Sequence, residues 1–197
     1  MYKSSEFLST LKKHRGIAKA NKFQLTRIGG NVFNTLNYNP DDINDMSYFC
    51  EATNLPGRNL ATQSFRTGSV SREYIHSNNF NDTLNLTFNL TDDMFIKNFF
   101  DNWQDLIFPL VTDGSNLSNN IALYPNKYVG EIEITKLSKD LKRTSESNPF
   151  EDTYGIKLIE AFPKQVNPVT LSYSSNEVMK LQVSIAYSRW QRVTNTY

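Results

Sequence analysis

The feature that most constrains this fold is a strict alternation of apolar and polar residues near the C-terminus. In the stretch "EVMKLQVSIAYS", small or polar residues separate Met179, Leu181, Val183, Ile185 and Tyr187. A period of two places every second side chain on one face of a strand, so one face is buried and the other meets solvent. The pattern predicts one strand of about ten residues, although strands average about five or six. A strand of this length needs a large sheet or a neighbouring chain to cover it.

The segment before it, "GIKLIEAFPKQVNPVT", predicts a partner for this terminal strand. Its apolar residues indicate a strand at 153–162, followed by a turn bracketed by Pro163 and Pro168. Proline has a fixed φ and no backbone N–H to donate. We therefore expect the turn from Pro163 to Pro168 to set how the two final strands meet.

The other predicted strands indicate a mainly β chain. The stretch "TLNLTFNLTDD" alternates cleanly, and strands are also predicted at 22–28, 46–52 and 128–138. Seven or eight strands without a βαβ rhythm favour an antiparallel β-barrel or sandwich.

A single strongly amphipathic helix interrupts the strands at about 92–108. Apolar residues recur there at spacings of three and four, Thr91 is positioned to cap the N-terminus, and Pro109 ends the pattern. The aromatic stripe could be imagined as a ligand site, but core packing explains it better. The residues predicted for the core of the fold are Leu84, Leu86, Phe88, Phe99, Trp103, Leu181, Val183 and Ile185.

Residues 58–79 predict a long hairpin whose tip is Thr67-Gly68-Ser69. Its arms contain few large apolar residues, and an isolated two-stranded hairpin is marginally stable in water. We therefore expect the hairpin to gain order by lying on another subunit, although an ordinary surface hairpin is the alternative. The residues predicted to make contacts between subunits or stacked rings are Arg58, Phe65, Arg66, Arg72, Tyr74 and Ile75.

The rest of the chain supplies connections and an N-terminal arm. A short helix is predicted at 4–14, and polar insertions are predicted near 33–45, 111–127 and 139–152. With 197 residues, the chain is predicted to be one domain over 1–197. That domain would consist of an N-terminal arm or helix at 1–20 and a β-barrel core at 20–192.

Residues that could carry chemistry are scarce. The two histidines, His14 and His76, are far apart, and no phosphate loop, zinc-binding motif or nucleophile motif is present. The one cysteine, Cys50, is predicted to be a small core residue that shares a strand face with Tyr48 and Ala52. These observations predict a protein that is not an enzyme and that has no catalytic residues, no cofactor and no metal.

Charge and hydropathy restrict the partners and the compartment. The net charge of +1, from 21 basic and 20 acidic residues, argues against a dedicated nucleic-acid binder. No apolar run approaches the roughly 18 residues that span a bilayer, and the N-terminus lacks the apolar block of a signal peptide. The sequence therefore predicts no membrane partner and synthesis in a reducing cytosol.

The order of these segments resembles the tail tube proteins of contractile-tailed bacteriophages. "KFQL" and "YFCEATNLPGRNLAT" are similar to the family's first strand and to the turn before its extended hairpin, and "REYIHSNNFNDTLNLTFNLTDD" is similar to the hairpin's return. "IKNFFDNWQDLI" resembles the family's helix. "YVGEIEITKLS" and the C-terminal segment resemble its last three strands. The resemblance covers residues 20–192 and rests on the order of packing patterns, since none of them is a catalytic motif.

The resemblance implies a structural protein of the virion that self-assembles. Subunits would form hexameric rings, and the rings would stack into the inner tail tube through which DNA leaves the phage. Implied partners are the tail sheath protein, the tape measure protein, the baseplate initiator and, transiently and without specificity, phage DNA. Assembly would take place in the host cytoplasm. The polar insertions depart from the compact family pattern, which leaves the sheath contacts open.

Three alternatives remain at the level of sequence. The first is a paralogue, either a baseplate tube initiator or a subunit of a secretion-system tube such as the type VI tube. The second is a monomeric β-sandwich binding module, for example for carbohydrate, which would not form rings. An enzyme built from carboxylates is the third.

Overall fold

The chain folds mainly into antiparallel β-strands, as predicted. A computed structural model describes residues 4–14, 16–30, 32, 36, 38–80, 83–109, 122–138, 152–174 and 176–193. The strands in this part of the chain are β1 (Phe23–Gly29), β2 (Cys50–Thr53), β3 (Arg58–Thr67), β4 (Val70–Phe80), β5 (Thr83–Asn89), β6 (Gly130–Leu137), β7 (Asp152–Val166), β8 (Lys180–Ala186) and β9 (Arg189–Val193). The helices are α1 (Ser4–Lys13), α2 (Pro40–Met46), α3 (Phe95–Ile107) and α4 (Pro125–Tyr128).

Seven strands form one sheet, and β3 and β4 form a separate two-stranded hairpin. The main sheet has the order β1-β6-β7-β8-β5-β2, and β9 pairs with β7. Every pairing between these strands is antiparallel. Helix α3 covers the apolar face of the sheet, because its buried stripe of Ile96, Phe99, Phe100 and Trp103 belongs to the same core cluster as the inward residues of the strands.

The residues predicted for the core lie in that cluster and are fully buried. In β5 and β8 the inward residues are in register, with Leu84 opposite Ile185 and Leu86 opposite Val183. The indole N–H of Trp103 donates a hydrogen bond to the Tyr128 carbonyl oxygen at 2.8 Å. The one polar atom of this large side chain is therefore satisfied inside the core.

The single terminal strand predicted from the alternation is wrong, because the structure divides it into β8 and β9. Both segments pair with the same edge of β7, but Tyr187 and Ser188 interrupt them at the point where β7 is irregular in its pairing with β6. There, Glu160 adopts a left-handed backbone with φ of 56°, and the Ser188 amide donates to the Ile159 carbonyl oxygen. A bulge of this kind bends a strand and disrupts the pairing beside it, which accounts for the gap between β8 and β9.

The predicted turn between Pro163 and Pro168 is also wrong, because β7 continues to Val166 and contains Pro163. Pro163 pairs with Ile185 of β8. On the other edge of β7 the last pairing with β6 is at Ala161, so Pro163 lies where the absent N–H costs no pairing with β6. The longest strand of the sheet is thus β7 rather than the C-terminal segment.

The predicted polar connection at 39–45 and the predicted strand at 46–52 also need correction. Residues 40–46 form α2, and a 3-10 turn (Ser47–Phe49) precedes β2, which begins only at Cys50. Ile43 and Met46, three residues apart, turn toward the core, and this spacing favours a helix. Tyr48 therefore lies on the 3-10 turn and is 78% exposed, and it does not share a strand face with Cys50.

The start of α3 differs from the predicted cap. The helix begins at Phe95, after Met94 in a left-handed conformation. Thr91 donates its hydroxyl to the Asp93 carboxylate, and that carboxylate accepts from the Phe95 amide at 3.2 Å. Asp93, rather than Thr91, is thus the side chain that accepts a hydrogen bond from the first turn of this helix. The predicted insertions at 111–127 and 139–152 lie largely outside the described residues, as does part of 33–45.

Candidate assembly surfaces

The β3–β4 hairpin projects from the main sheet and packs mainly on itself. Its arms of 10 and 11 residues pair from Arg58 opposite Phe80 to Thr67 opposite Val70, with one irregularity after Ala61. An arm of 10 residues spans about 33 Å. Most side chains of both arms are exposed. The structure places the hairpin at 58–80, one residue longer than the predicted 58–79, and its turn is at Gly68 and Ser69 as expected.

The distal half of the hairpin carries an aromatic and basic face. Phe65 is opposite Arg72, and Gln63 is opposite Tyr74, so these side chains project from the same side. The rings of Phe65 and Tyr74 meet edge to face with centroids 5.8 Å apart, and each side chain is 53% exposed. Among the described residues the guanidinium of Arg72 forms no ion pair. We call Phe65, Arg72 and Tyr74 the hairpin face.

The remaining predicted contact residues lie elsewhere on the hairpin. Arg66 and Ile75 project from the opposite side, since the pairings place them on the alternate positions of the two arms. Arg66 donates from Nε to the Gly68 carbonyl oxygen at 3.2 Å, which holds its side chain against the turn. Arg58 lies at the root of the hairpin, opposite Phe80. The structure thus brings three of the six predicted residues together.

The root of the hairpin is anchored by a residue that sequence reasoning did not single out. Trp190 of β9 donates from its indole N–H to the Gly57 carbonyl oxygen at 3.1 Å. Its ring also meets Phe80 edge to face at 6.2 Å. These contacts couple the direction of the hairpin to the main sheet. The sequence signal for this anchoring role is weak: Trp190 comes directly after the alternation near the C-terminus ends.

A groove with acidic and apolar walls lies between the 3-10 turn and the β5–α3 connection. Its volume is about 260 Å³. Hydrogen bonds from the Thr91 hydroxyl and from the Phe95 amide lower the pKa of Asp93, so its carboxylate is charged at neutral pH. We call this the acidic groove, and its lining residues are Asp42, Asp45, Met46, Phe49, Thr91, Asp93, Phe95 and Ile96.

A second groove of about 560 Å³ borders the outer face of β6 and β7. Its charged lining residues are Arg27, Glu131 and Glu160, and Glu131 forms an ion pair with Lys157 at 2.6 Å. Histidine, cysteine and serine are missing from its lining residues. The groove therefore offers no nucleophile paired with a base.

Helix α1 carries a further apolar surface. Phe7 and Leu8 are both more than half exposed, and none of the residues of this helix is buried. The predicted N-terminal helix is thus present, but its apolar side does not join the core.

The chemistry of the described residues offers no metal centre and no membrane-spanning helix. No group of three or more histidine, cysteine, aspartate or glutamate side chains is placed to hold a metal in the parts of the chain that the structure covers. Among the helices found there, none is long and apolar enough to cross a bilayer. Burial raises the pKa of Cys50 to about 12, which keeps its thiol protonated.

Solved structures with the same fold come from contractile injection systems. One is a chain in the cryo-EM structure of the anti-feeding prophage baseplate, with a TM-score of 0.59 and 14% identity over 90% of this chain and 95% of that one. Another is in the sheath–tube complex of an extracellular contractile injection system, PVC, in its extended state, with a TM-score of 0.55 and 10% identity over 98% and 99%. A chain of the anti-feeding prophage tube-terminating cap has a TM-score of 0.56 and 16% identity over 90% and 91%.

The family follows from the sequence match itself. A search of curated proteins finds no match. The family model described as phage tail tube protein, however, matches residues 18–193, which is most of the chain. This match confirms the resemblance on which the sequence analysis rested, and it indicates a structural component of the virion tail. The chain belongs to the phage tail tube protein family.

Proposed function

We propose that this protein forms hexameric rings that stack into the inner tube of a contractile phage tail, through which DNA is ejected. The observation that carries the proposal is the β3–β4 hairpin, which extends about 33 Å beyond its root. It buries few of its apolar side chains on its own subunit. A two-stranded hairpin of this kind is marginal unless another surface covers it. A neighbouring subunit in the same ring or in the next ring would supply that surface.

The proposed ring has support from related assemblies. The anti-feeding prophage baseplate structure, in which a chain of the same fold lies, is described as six-fold symmetrised. The sheath–tube complex of the PVC system holds another chain of this fold. We infer a tail sheath protein and a baseplate initiator as partners of this chain, with a tape measure protein and DNA inside the tube. The protein would be assembled in the host cytoplasm, as a single domain over residues 1–197.

The outward face of β5 and β8 suits the wall of a DNA channel. Its central residues are uncharged, and the Ser184 hydroxyl donates to the Asn85 side-chain oxygen at 2.7 Å. Lys180, at one end of this face, is neutralised by Glu51 at 2.7 Å. A wall without free cations would not hold many phosphates at once, because phosphate contacts dominate nucleic-acid affinity. Tubes of a Gln182→Lys variant should then retain DNA at low salt, where wild-type tubes should not.

The main experiment removes the hairpin without disturbing its root. Ala61 and Ser77 are paired, so an Asn-Gly turn in place of residues 62–76 closes the shortened arms with a two-residue turn of the preferred type. The contact between Phe80 and Trp190 remains. We expect a folded subunit with an unchanged thermal melt that forms no tubes in electron micrographs. Tubes of ordinary length from this deletion would refute the role of the hairpin.

Point variants refine the same test. Phe65→Ala with Tyr74→Ala removes the two exposed rings of the hairpin face, and buried aromatic residues dominate many interfaces at about 2 kcal/mol or more each. Ser64→Ala, on the opposite side of the same arm, is the matched control. We expect the double variant to raise the protein concentration needed for tubes more than tenfold and the control to leave it unchanged.

A baseplate tube initiator is the second candidate, and the structural similarity to a chain in the anti-feeding prophage baseplate favours it. An initiator would form a ring that does not stack on further copies of itself. Electron microscopy of the purified wild-type protein separates the two functions, since long tubes support a tube subunit and single rings support an initiator.

A further inference from the structure

The hairpin and the acidic groove lie at opposite ends of the same strands. In the β5–β8 pair, Thr83 is opposite Ala186 at one end and Asn89 is opposite Lys180 at the other. The hairpin joins the sheet at the first end, immediately before β5. The acidic groove is lined by Thr91 and Asp93, which follow β5 at the second end. The seven residues of β5 separate these ends by about 20 Å.

The two surfaces carry opposite charge. The hairpin face carries one cation, Arg72, and no anion, because Arg66 and Glu73 project from the opposite side of the hairpin. The acidic groove is lined by three aspartates and by no basic residue. Within the described ranges these aspartates form no ion pair. Each surface therefore has charge that no ion pair among the described residues neutralises.

The shapes of the two surfaces also correspond. The accessible apolar walls of the acidic groove are Phe49 and Phe95, which are contacts for an aromatic ring, while Met46 and Ile96 are fully buried beneath them. Its volume of about 260 Å³ lies below the roughly 300–1,000 Å³ typical of pockets for small-molecule ligands. A side chain such as that of Phe65, carried on a neighbouring subunit, is a better match in size.

We propose that the acidic groove of one subunit receives the hairpin face of a second copy of this chain in the next ring. The proposal rests on the stacked-ring function above and adds the receiving surface and its chemistry. Arg72 would meet the aspartates while Phe65 or Tyr74 enters between the apolar walls. A contact between two different surfaces of identical subunits is heterologous, and it can repeat from ring to ring whenever its rotation does not close a ring.

Charge reversal of both surfaces tests the pairing. The hairpin variant carries Arg72→Glu, which reverses the one cation of the hairpin face, and the groove variant carries Asp42→Lys and Asp45→Lys. We expect each variant alone to fold and to require at least tenfold more protein for tubes. An equimolar mixture should form tubes again, because each reversed surface then meets its complement in the other variant. A single chain with all three substitutions should also form tubes.

Controls separate folding from assembly. The milder groove variant, Asp42→Asn with Asp45→Asn, removes charge without adding any, and we expect it to lose tubes as well. It replaces the charge-reversal variant in the test if that variant fails to fold. Asp105→Lys places a new positive charge on α3, about 14 Å along the helix from Ile96, and should leave tube formation unchanged. Circular dichroism melts check that each variant has the wild-type fold.

The outcomes distinguish this inference from the function on which it rests. Wild-type tubes together with normal tubes from both groove variants would overturn the groove as receiving surface and leave the stacked tube intact. Loss of tubes without recovery in the mixture or in the three-substitution chain would overturn the pairing of groove and hairpin. A wild-type protein that forms neither rings nor tubes would overturn the proposed function, and this inference with it.

Discussion

Replacement of Ile185 by alanine should destabilise the subunit far more than replacement of its neighbour Ser184. Ile185 is fully buried between Leu84 of β5 and Pro163 of β7. Truncation of a fully buried isoleucine costs about 2–5 kcal/mol, because apolar contacts are lost and a cavity remains. Ser184 points to the other face, and its hydrogen bond to Asn85 contributes about 0.5–1.5 kcal/mol.

Urea unfolding followed by circular dichroism measures this difference directly. It should be done at a protein concentration at which wild-type and variants are monomeric, because assembly would add to the apparent stability. We expect Ile185→Ala to lower the midpoint without a change in m, which indicates an altered stability and an unaltered transition. In thermal melts, about 1 kcal/mol corresponds to roughly 2–4 °C for a chain of this size. The melting temperature of Ile185→Ala should therefore fall by about 4–20 °C.

The aspartate versions of the same substitutions make the test more severe. Ile185→Asp would bury a carboxylate without a partner, at a cost of several kcal/mol out of a typical total stability of about 5–15 kcal/mol. We expect no folded protein from Ile185→Asp and a folded protein from Ser184→Asp. Equal losses of stability at the two positions, with either alanine or aspartate, would refute the register of β8.

Three further predictions concern the backbone and the one thiol. Glu160 has a left-handed φ of 56°, which costs a residue other than glycine about 1–2 kcal/mol. In urea unfolding, Glu160→Gly should therefore leave the stability unchanged or slightly higher, and Glu160→Val should lower it. Gly30 has a φ of 128°, and a Cβ there would lie 2.8 Å from the Gly130 Cα. Gly30→Ala should therefore reduce the free energy of unfolding by more than about 1 kcal/mol. An unchanged free energy of unfolding would contradict the close approach of the two backbones. Burial raises the pKa of Cys50 from 9.0 to about 12, so unfolding should release a proton above pH 9 and the free energy of unfolding should fall between pH 9 and 12. A Cys50→Ser variant should lose less stability over that range. Equal slopes of the free energy of unfolding against pH in the two proteins would contradict a buried thiol.

Local patterns predicted the elements whose own residues determine them. The alternation in β5 and β8 and the helical spacing in α3 depend on neighbours along the chain, and their inward residues, such as Leu86, Phe99 and Val183, are buried. The hairpin turn followed from its Gly68 and from the arms beside it. The family match was also available from sequence order alone, because the packing patterns of a fold recur in order along the chain.

Tertiary contacts decided the rest. Alternation continues through Tyr187, yet the strand breaks there, opposite the irregularity of β7 at Glu160, a residue remote in sequence. Pro163 could remain inside a strand because one edge of β7 is unpaired with β6 at that point, and no local rule reports the pairing of an edge. For the candidate assembly surfaces, the sequence determined which residues the hairpin carries. Only the fold placed the hairpin and the acidic groove at opposite ends of β5, because distance and direction between remote segments are properties of the folded chain.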